Sequence, residues 1–293
     1  MQRSAILAAI RERLSAELTP PAIAWVRFEV DGRLAGLLTR ARVERLAGFP
    51  RIFRIDGAGV SFAAGLATQT ARTDAMAEVA GALAASGELT AWRNERYAVR
   101  AAFDSPPWFF LERSCARWFG VLTWATHVNG ECVGVDGRAL WFARRSPDKS
   151  IDPGRFDTLV GGGIAELEAV APAMQRESWE EAGIDARTAS TARAAGHVSV
   201  THAAEDGLQR ATIFVYDLAL PKDFVPDNQD GEAVEHRLLA LADAAALIAA
   251  TRGHDTTTLD ACVVTLDYLL RQADWPVAED ERDALAALCR LPA

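Results

Sequence analysis

The chain has 293 residues, half of them hydrophobic, which is enough for one large domain or two modest ones around a sizeable core. With 31 basic against 40 acidic residues the net charge is −9, which argues against a general nucleic-acid binder, since that role needs a basic patch or stripe. Cys115, Cys132, Cys262 and Cys289 are scattered with no C-x-x-C spacing, so they suit reduced thiols better than a disulfide framework.

Ile6, Leu7, Ile10, Leu14 and Leu18 recur at helical spacing, and residues 3–17 are read as an amphipathic helix that stops before Pro20-Pro21. The apolar run Ala5–Ile10 is too short for a signal peptide or a membrane span, which implies a soluble, cytoplasmic protein without membrane attachment. Trp25–Val30 and Leu34–Thr39 predict two strands about an Asp31-Gly32 hairpin turn. Val43–Ala47 fits a short helix, Arg51–Ile55 a strand, Asp56-Gly57 another turn, and alanine-rich Thr73–Ala85 a helix. The first hundred residues therefore form a small α/β unit, and they hold no catalytic cluster. Ser105-Pro106-Pro107 is the expected linker, because paired prolines stop both helix and central strand. The expected division is 1–104, 105–250 and a C-terminal 251–293.

Beyond the linker, Phe119–His127 and Ala139–Arg144 (after Asp136-Gly137) read as strands, and Phe156–Val160 as another. Arg144, Arg145 and Lys149 stand between them, just before a glycine-rich stretch, where guanidinium and ammonium groups would meet substrate phosphates. Ala195–Val200 and Ala211–Leu220 predict two strands joined by a polar loop with Asp206-Gly207. Leu238–Ala249, Leu259–Leu270 and Asp280–Cys289 predict helices, the last two packing back on the preceding domain. Strands and helices in this order, with antiparallel hairpins, predict a mixed sheet covered by helices.

The stretch with most chemistry is Gly161–Ile184, GGGIAELEAVAPAMQRESWEEAGI. If Ala173–Ala182 is helical, Glu177, Glu180 and Glu181 stand at i, i+3 and i+4 on one face. Each like-charge pair so spaced costs about 0.2–0.5 kcal/mol in an isolated helix, and a bound divalent cation is the most economical reason for three of them. Carboxylates suit Mg²⁺, Mn²⁺ or Ca²⁺. Arg176 could fix one carboxylate bidentately, and Gly183 fits the C′ position that ends a helix. Gly161, Gly162 and Gly163 leave bare backbone whose amides can approach an anion. Together they propose a metal-assisted reaction on a phosphate.

The spacing resembles the Nudix hydrolase signature, G-x5-E-x7-R-E-U-x-E-E-x-G-U with U a bulky apolar residue. It is carried here by Gly162, Glu168, Arg176, Glu177, Glu180, Glu181, Gly183 and Ile184, while Ser178 replaces the usual apolar residue. Seven fixed identities agree, an outcome expected by chance at roughly one site in 10⁸–10⁹. THVNG at 126–130, LWFARRSPDKS at 140–150, PGRFDTLVGGG at 153–163, FVYDLALP at 214–221 and DGEAVEH at 230–236 resemble one Nudix subgroup with an α/β N-terminal extension. That subgroup includes the Nudix part of fungal thiamine pyrophosphokinases.

The resemblance, over about residues 115–248, implies an α/β/α sandwich with a mixed sheet, preceded by a small α/β N-terminal domain. It implies Mg²⁺- or Mn²⁺-dependent hydrolysis of a diphosphate linkage in a small molecule, with thiamine diphosphate or a damaged analogue as the substrate class. Glu177, Glu180 and Glu181 would hold the metal, and either Glu181 or the more distant Glu232 would act as general base. Glu168 and Arg176 would orient the loop and helix. A nucleoside diphosphate derivative such as ADP-ribose is the alternative substrate. An isomerase of the isopentenyl diphosphate kind or a catalytically dead sensor would not need all three glutamates. Homodimerisation stays open.

Overall fold

The computed structural model describes residues 3–18, 24–89, 92–134 and 137–290. The expected stop at Pro20-Pro21 and the turn residue Asp136 fall outside them. Helix α1 (Arg3–Glu17) buries Ile6, Leu7, Ile10 and Leu14, as their spacing predicts. Strands β1 (Val26–Val30) and β2 (Arg33–Leu38) meet at Asp31 and Gly32, whose φ values of 51° and 74° are those a two-residue primed hairpin turn demands. Helix α2 (Arg40–Leu46) follows, then β3 (Phe53–Asp56) and β4 (Gly59–Phe62). These strands make a four-stranded sheet in the order β2-β1-β4-β3, with β1 and β4 parallel. Helix α3 (Gln69–Ala85) starts four residues earlier than expected, because the Thr68 hydroxyl accepts from Ala71 N at 3.2 Å and caps it there.

Strands β5 (Arg96–Val99) and β6 (Phe109–Glu112) pair antiparallel across Ser105-Pro106-Pro107. The expected linker is thus a loop inside a hairpin. The strand expected from Phe119 starts only at Leu122, because α4 (Ala116–Phe119) intervenes and ends on left-handed Gly120. Phe109, Leu111, Trp118 and Phe119 pack with Phe28, Met76 and Leu83 in one core. Helix α1 packs elsewhere, with Phe142, Phe156, Ile213 and Leu266. Its Arg13 guanidinium donates to Ile248 O and Thr257 Oγ1, both at 2.8 Å. Side-chain packing therefore departs from the expected division at 104/105: α1 joins the second core, and residues 109–121 join the first.

The second unit contains β7 (Leu122–Gly134), β8 (Gly137–Arg145), β9 (Phe156–Thr158), β10 (Val160–Gly163), α5 (Val170–Ala182) and α6 (Ala186–Ala189). It continues with β11 (Arg193–Ala204), β12 (Gly207–Ala219), β13 (Ala233–Ala240), α7 (Leu241–Ala249), α8 (Leu259–Arg271) and α9 (Glu279–Leu288). The strands form a seven-stranded mixed sheet, ordered β11-β12-β7-β8-β13, with β10 paired to β7 and β9 to β8. Among the described residues, β7–β12 is the one parallel strand pair in it. Strand alternation assigns the faces. Ala211, Ile213 and Val215 point to the core shared with α1, α7 and α8, whereas Tyr216 and Leu218 point to the one holding Met174 of α5. The result is the mixed-sheet α/β/α sandwich the signature implied. The helix expected from Leu238 begins at Leu241 instead. Leu238–Ala240 pair with β8 as the end of β13, in an apolar run that either period could claim.

Candidate active site

Helix α5 carries the three glutamates in the predicted register. It ends where expected: Gly183 is left-handed at φ 64°, and Ile184 N reaches back to Ser178 O at 3.1 Å. Ser178, the departure from the signature, is fully buried, and its hydroxyl donates to Met174 O at 2.7 Å. The polar atom is satisfied inside the helix, so the position packs against the sheet without an orphaned group. Arg176 holds Glu168 bidentately, Nε and Nη2 donating at 3.0 and 2.9 Å. Its Nη1 donates to Glu177 at 2.8 Å and to Glu180 at 2.9 Å. One guanidinium thereby ties the loop before α5 to two of the three acids.

The three glycines, expected to offer bare amides to an anion, lie in strand β10. Gly161, Gly162 and Gly163 pair with His127, Thr126 and Ala125 of β7. What they provide is space. A Cβ on Gly162 would come within 2.5 Å of all three carboxyl atoms of Glu177, and one on Gly161 would lie 2.6 Å from the His127 ring. Tyr97 Oη of β5 occupies the place a Cβ would take on Gly163. The Gly161 amide is not open to an anion, because it donates to Glu181 Oε2 at 2.7 Å. So α5 can lay its acids directly on the β10 backbone.

That closeness sets the electrostatics. Burial pushes the Glu177 carboxyl up to about 7, against the opposing charge of Arg176. Burial, followed by the charge of Glu177, pushes Glu181 well above the ordinary carboxylate range, with the Gly161 N–H opposing. Two acids pressed into one place form a hard-oxygen donor set that fits Mg²⁺ or Mn²⁺. Among the described residues no three His, Cys, Asp or Glu side chains converge as they stand, and Arg176 engages Glu177 and Glu180.

A cleft of about 1240 Å³ runs between the two units, and of the three helix glutamates Glu177 lines it. Gly161, Gly162, Gly163 and Glu177 line it, as do Arg145, Lys149 and Glu232. Lys149 is ion-paired with Glu232, and Arg145 donates to Ile151 O at 2.9 Å and to Asp157 Oδ2 at 3.3 Å. Arg144 does not line the cleft, which corrects its assignment as a phosphate contact. It is buried on the Phe156 ring at 4.0 Å and donates to Glu235, Asp255, Gly154 O and His254 O. Successive strand residues point to opposite faces, which separates Arg144 from Arg145. Sequence reasoning missed Asp157, His127 and three residues of the N-terminal unit, Arg93, Tyr97 and Arg113, all on the cleft wall. His127 Nδ1 lies 2.8 Å from Thr158 Oγ1 and 3.7 Å from Asp157 Oδ1. Trp92, Arg93, Asn94 and Glu95 stand together in the sequence, but a polar cluster beside a Trp reads as surface packing where nothing local indicates the partner it faces.

Residues 129–260 match the NUDIX domain family, and residues 20–123 match a family described as a domain of unknown function (DUF4743). The chain is similar to Nudix hydrolase 24, chloroplastic, of Arabidopsis thaliana, with 35% identity over 84% of this chain and 67% of the relative. Nudix hydrolase 20, chloroplastic, of the same plant is 34% identical over 84% and 68%. Among solved structures, DR0079 of Deinococcus radiodurans is 20% identical with a TM-score of 0.44, covering 59% of this chain and 97% of that one. No helix among the described residues is long and apolar enough to cross a membrane.

Proposed function

The chain belongs to the Nudix hydrolases and is a pyrophosphohydrolase acting on phosphoanhydride bonds; from that premise we propose that its substrate is a small-molecule diphosphate of the thiamine type. The observation that carries the chemistry is the seating of Glu177 and Glu181 on the bare backbone of Gly161 and Gly162. Glu177, Glu180 and Glu181 would hold Mg²⁺ or Mn²⁺, which supplies charge neutralisation at the phosphoryl oxygens and acidifies a water. Water attacks one phosphorus, the bridging oxygen leaves with the bonding electron pair, and two phosphoryl products result. Arg176 fixes the acids' rotamers from Glu168, without contacting the substrate. Of the two acids expected as base, Glu232 is ion-paired with Lys149, whereas Glu181 accepts the Gly161 N–H and has no cationic side chain within ion-pair distance among the described residues, so Glu181 would take the water's proton. Arg145 and Lys149 line the route of the phosphates.

The thiamine-type substrate is supported by the subgroup-like stretches at 126–130, 140–150, 153–163, 214–221 and 230–236. The presence of all three glutamates supports hydrolysis over an isomerase or sensor role. Four buried, unbridged cysteines suit a reducing compartment such as the cytoplasm. The test is product release from a Mg²⁺-supplemented panel of thiamine diphosphate, its oxidised analogues, ADP-ribose and nucleoside diphosphates. Thiamine-type diphosphates should give the highest kcat/KM, and preference for ADP-ribose would overturn the substrate. Glu181→Gln should lower the rate by about 10²–10⁴, the usual scale for losing an acid–base group. A near wild-type rate would remove Glu181 from the chemistry.

A further inference from the structure

A diphosphate brings several negative charges into the cleft, and the cations the sequence offered for them are largely engaged. Arg144 lies elsewhere, Arg145 is held by Ile151 O and Asp157, and Lys149 by Glu232. Two guanidiniums of the N-terminal unit line the same cleft. Arg93, exposed just before β5, reaches across to Ser150 Oγ at 3.5 Å, and its side chain has no carboxylate within ion-pair distance among the described residues. Arg113, just after β6, gives Nη1 to Glu95 at 2.7 Å and lies 5.6 Å from the Tyr97 ring centre. Its Nε and Nη2 donate to no protein group among the described residues.

The placement is fixed and close to the acids of α5. Tyr97 Oη sits against Gly163, one residue from the glycine that Glu177 covers. Glu177, raised chiefly by burial, also feels the charge of Arg113. Glu232 is held below its ordinary range, against burial, by Lys149 and then by Arg113 and Arg93. Arg113 therefore faces both acidic sides of the cleft and Arg93 the Glu232 side, and both guanidiniums line the cleft itself.

We propose that Arg93 and Arg113 form a phosphoryl-binding subsite, so that the N-terminal unit completes the diphosphate site of the hydrolase domain. A guanidinium with free donors matches the oxygens of a phosphoryl group, and a cleft wall excludes much of the water that would screen it. The cation that Glu177, Glu180 and Glu181 would hold would neutralise one phosphoryl group, and the arginines take the other. The extension thereby selects for substrates with two adjacent phosphoryl groups. This inference rests on the pyrophosphohydrolase reading for its meaning, but a ligand that cannot be hydrolysed tests it separately.

The experiment is calorimetric titration of the full chain with methylenediphosphonate in Mg²⁺, for wild type, Arg93→Ala, Arg113→Gln and an Arg54→Ala control. Arg54 is a surface residue of β3, paired only with Asp56 and outside the cleft. Each charged hydrogen bond lost should weaken the diphosphonate by about 10–100-fold. Arg54→Ala should bind as wild type does, and Mg²⁺ affinity without the diphosphonate should not weaken in any variant, since removing a guanidinium near Glu177 takes positive charge away from the metal-binding acids. With the best hydrolysed substrate, the two arginine variants should raise KM more than they lower kcat. Wild-type diphosphonate affinity in folded Arg93→Ala and Arg113→Gln overturns the subsite. Since Arg113 also braces β5, Arg93→Ala alone decides the matter if Arg113→Gln does not fold, and wild-type affinity in it overturns the proposal. Arginine-dependent diphosphonate binding in a protein that hydrolyses nothing on the panel would keep the subsite and refute the hydrolase reading.

Discussion

Gly162→Ala separates the active site from the fold more cleanly than removal of any acid. Gly162 has no positive φ, so alanine fits its backbone, and the strand gains about 0.5–1 kcal/mol from the lost flexibility of glycine. The new Cβ would nevertheless fall within 2.5 Å of every carboxyl atom of Glu177, whereas ordinary contact begins near 3.4 Å. Strand β10 is held by its ladder to β7, so the side chain of Glu177 is what moves. It must retreat by about 1 Å, and a misplacement of about 1 Å in a catalytic constellation costs on the order of 10²-fold in rate. The hydrogen bond from Arg176 to Glu177 is lost as well, at about 1.5–3 kcal/mol, partly offset by the alanine. The assay pairs kcat/KM across a Mg²⁺ titration with thermal melting of the same preparation. The expected result is a protein that melts within several degrees of wild type, has about 10²-fold lower kcat/KM, and needs more Mg²⁺ for half-saturation. A folded Gly162→Ala protein within threefold of wild-type kcat/KM would refute the claim that this glycine exists to seat Glu177.

Three further outcomes follow from named contacts. Arg144→Ala should lower stability by about 2–3 kcal/mol, because it strips charged hydrogen bonds from Glu235 and Asp255, while KM of the folded protein stays unchanged; a raised KM with unchanged melting would return Arg144 to substrate binding. In EDTA, the raised Glu177 carboxyl makes folding favour the protonated form, so its contribution is largest below pH 4.5 and is lost as pH rises through about 7. That amounts to about 2 kcal/mol between pH 5.5 and 7.5, and denaturant melts should show the difference shrinking in Glu177→Gln. Leu14→Ala in α1 should cost about 2–5 kcal/mol through the cavity it leaves, measured by denaturant midpoint; a cost below 1 kcal/mol would mean that α1 is not part of the second core.

What the sequence determined by itself was local. Helix periodicity put Glu177, Glu180 and Glu181 on one face of α5, because 3.6 residues per turn makes that register unavoidable once the segment is helical. Gly183 ended the helix and Asp31-Gly32 closed the first hairpin, each through a backbone conformation readable from residue type. The mixed sheet covered by helices followed from the order of elements, its α/β/α sandwich form from the resemblance of the signature, and the candidate metal-binding acids from their spacing. The tertiary structure decided what depends on distant partners. Three glycines expected to bare their amides to an anion became a strand, since β7 paired with them and Glu177, His127 and Tyr97 needed the room. Arg144 and Arg145 were equivalent in sequence, yet strand alternation put one on the cleft and tied the other to Glu235 and Asp255, far along the chain. Helix α1 was legible as amphipathic, but its stripe could not say which sheet would cover it. Arg93, Tyr97 and Arg113 carried no motif, because a charge acquires its role only when packing sets it beside another, and packing is not a local property of sequence.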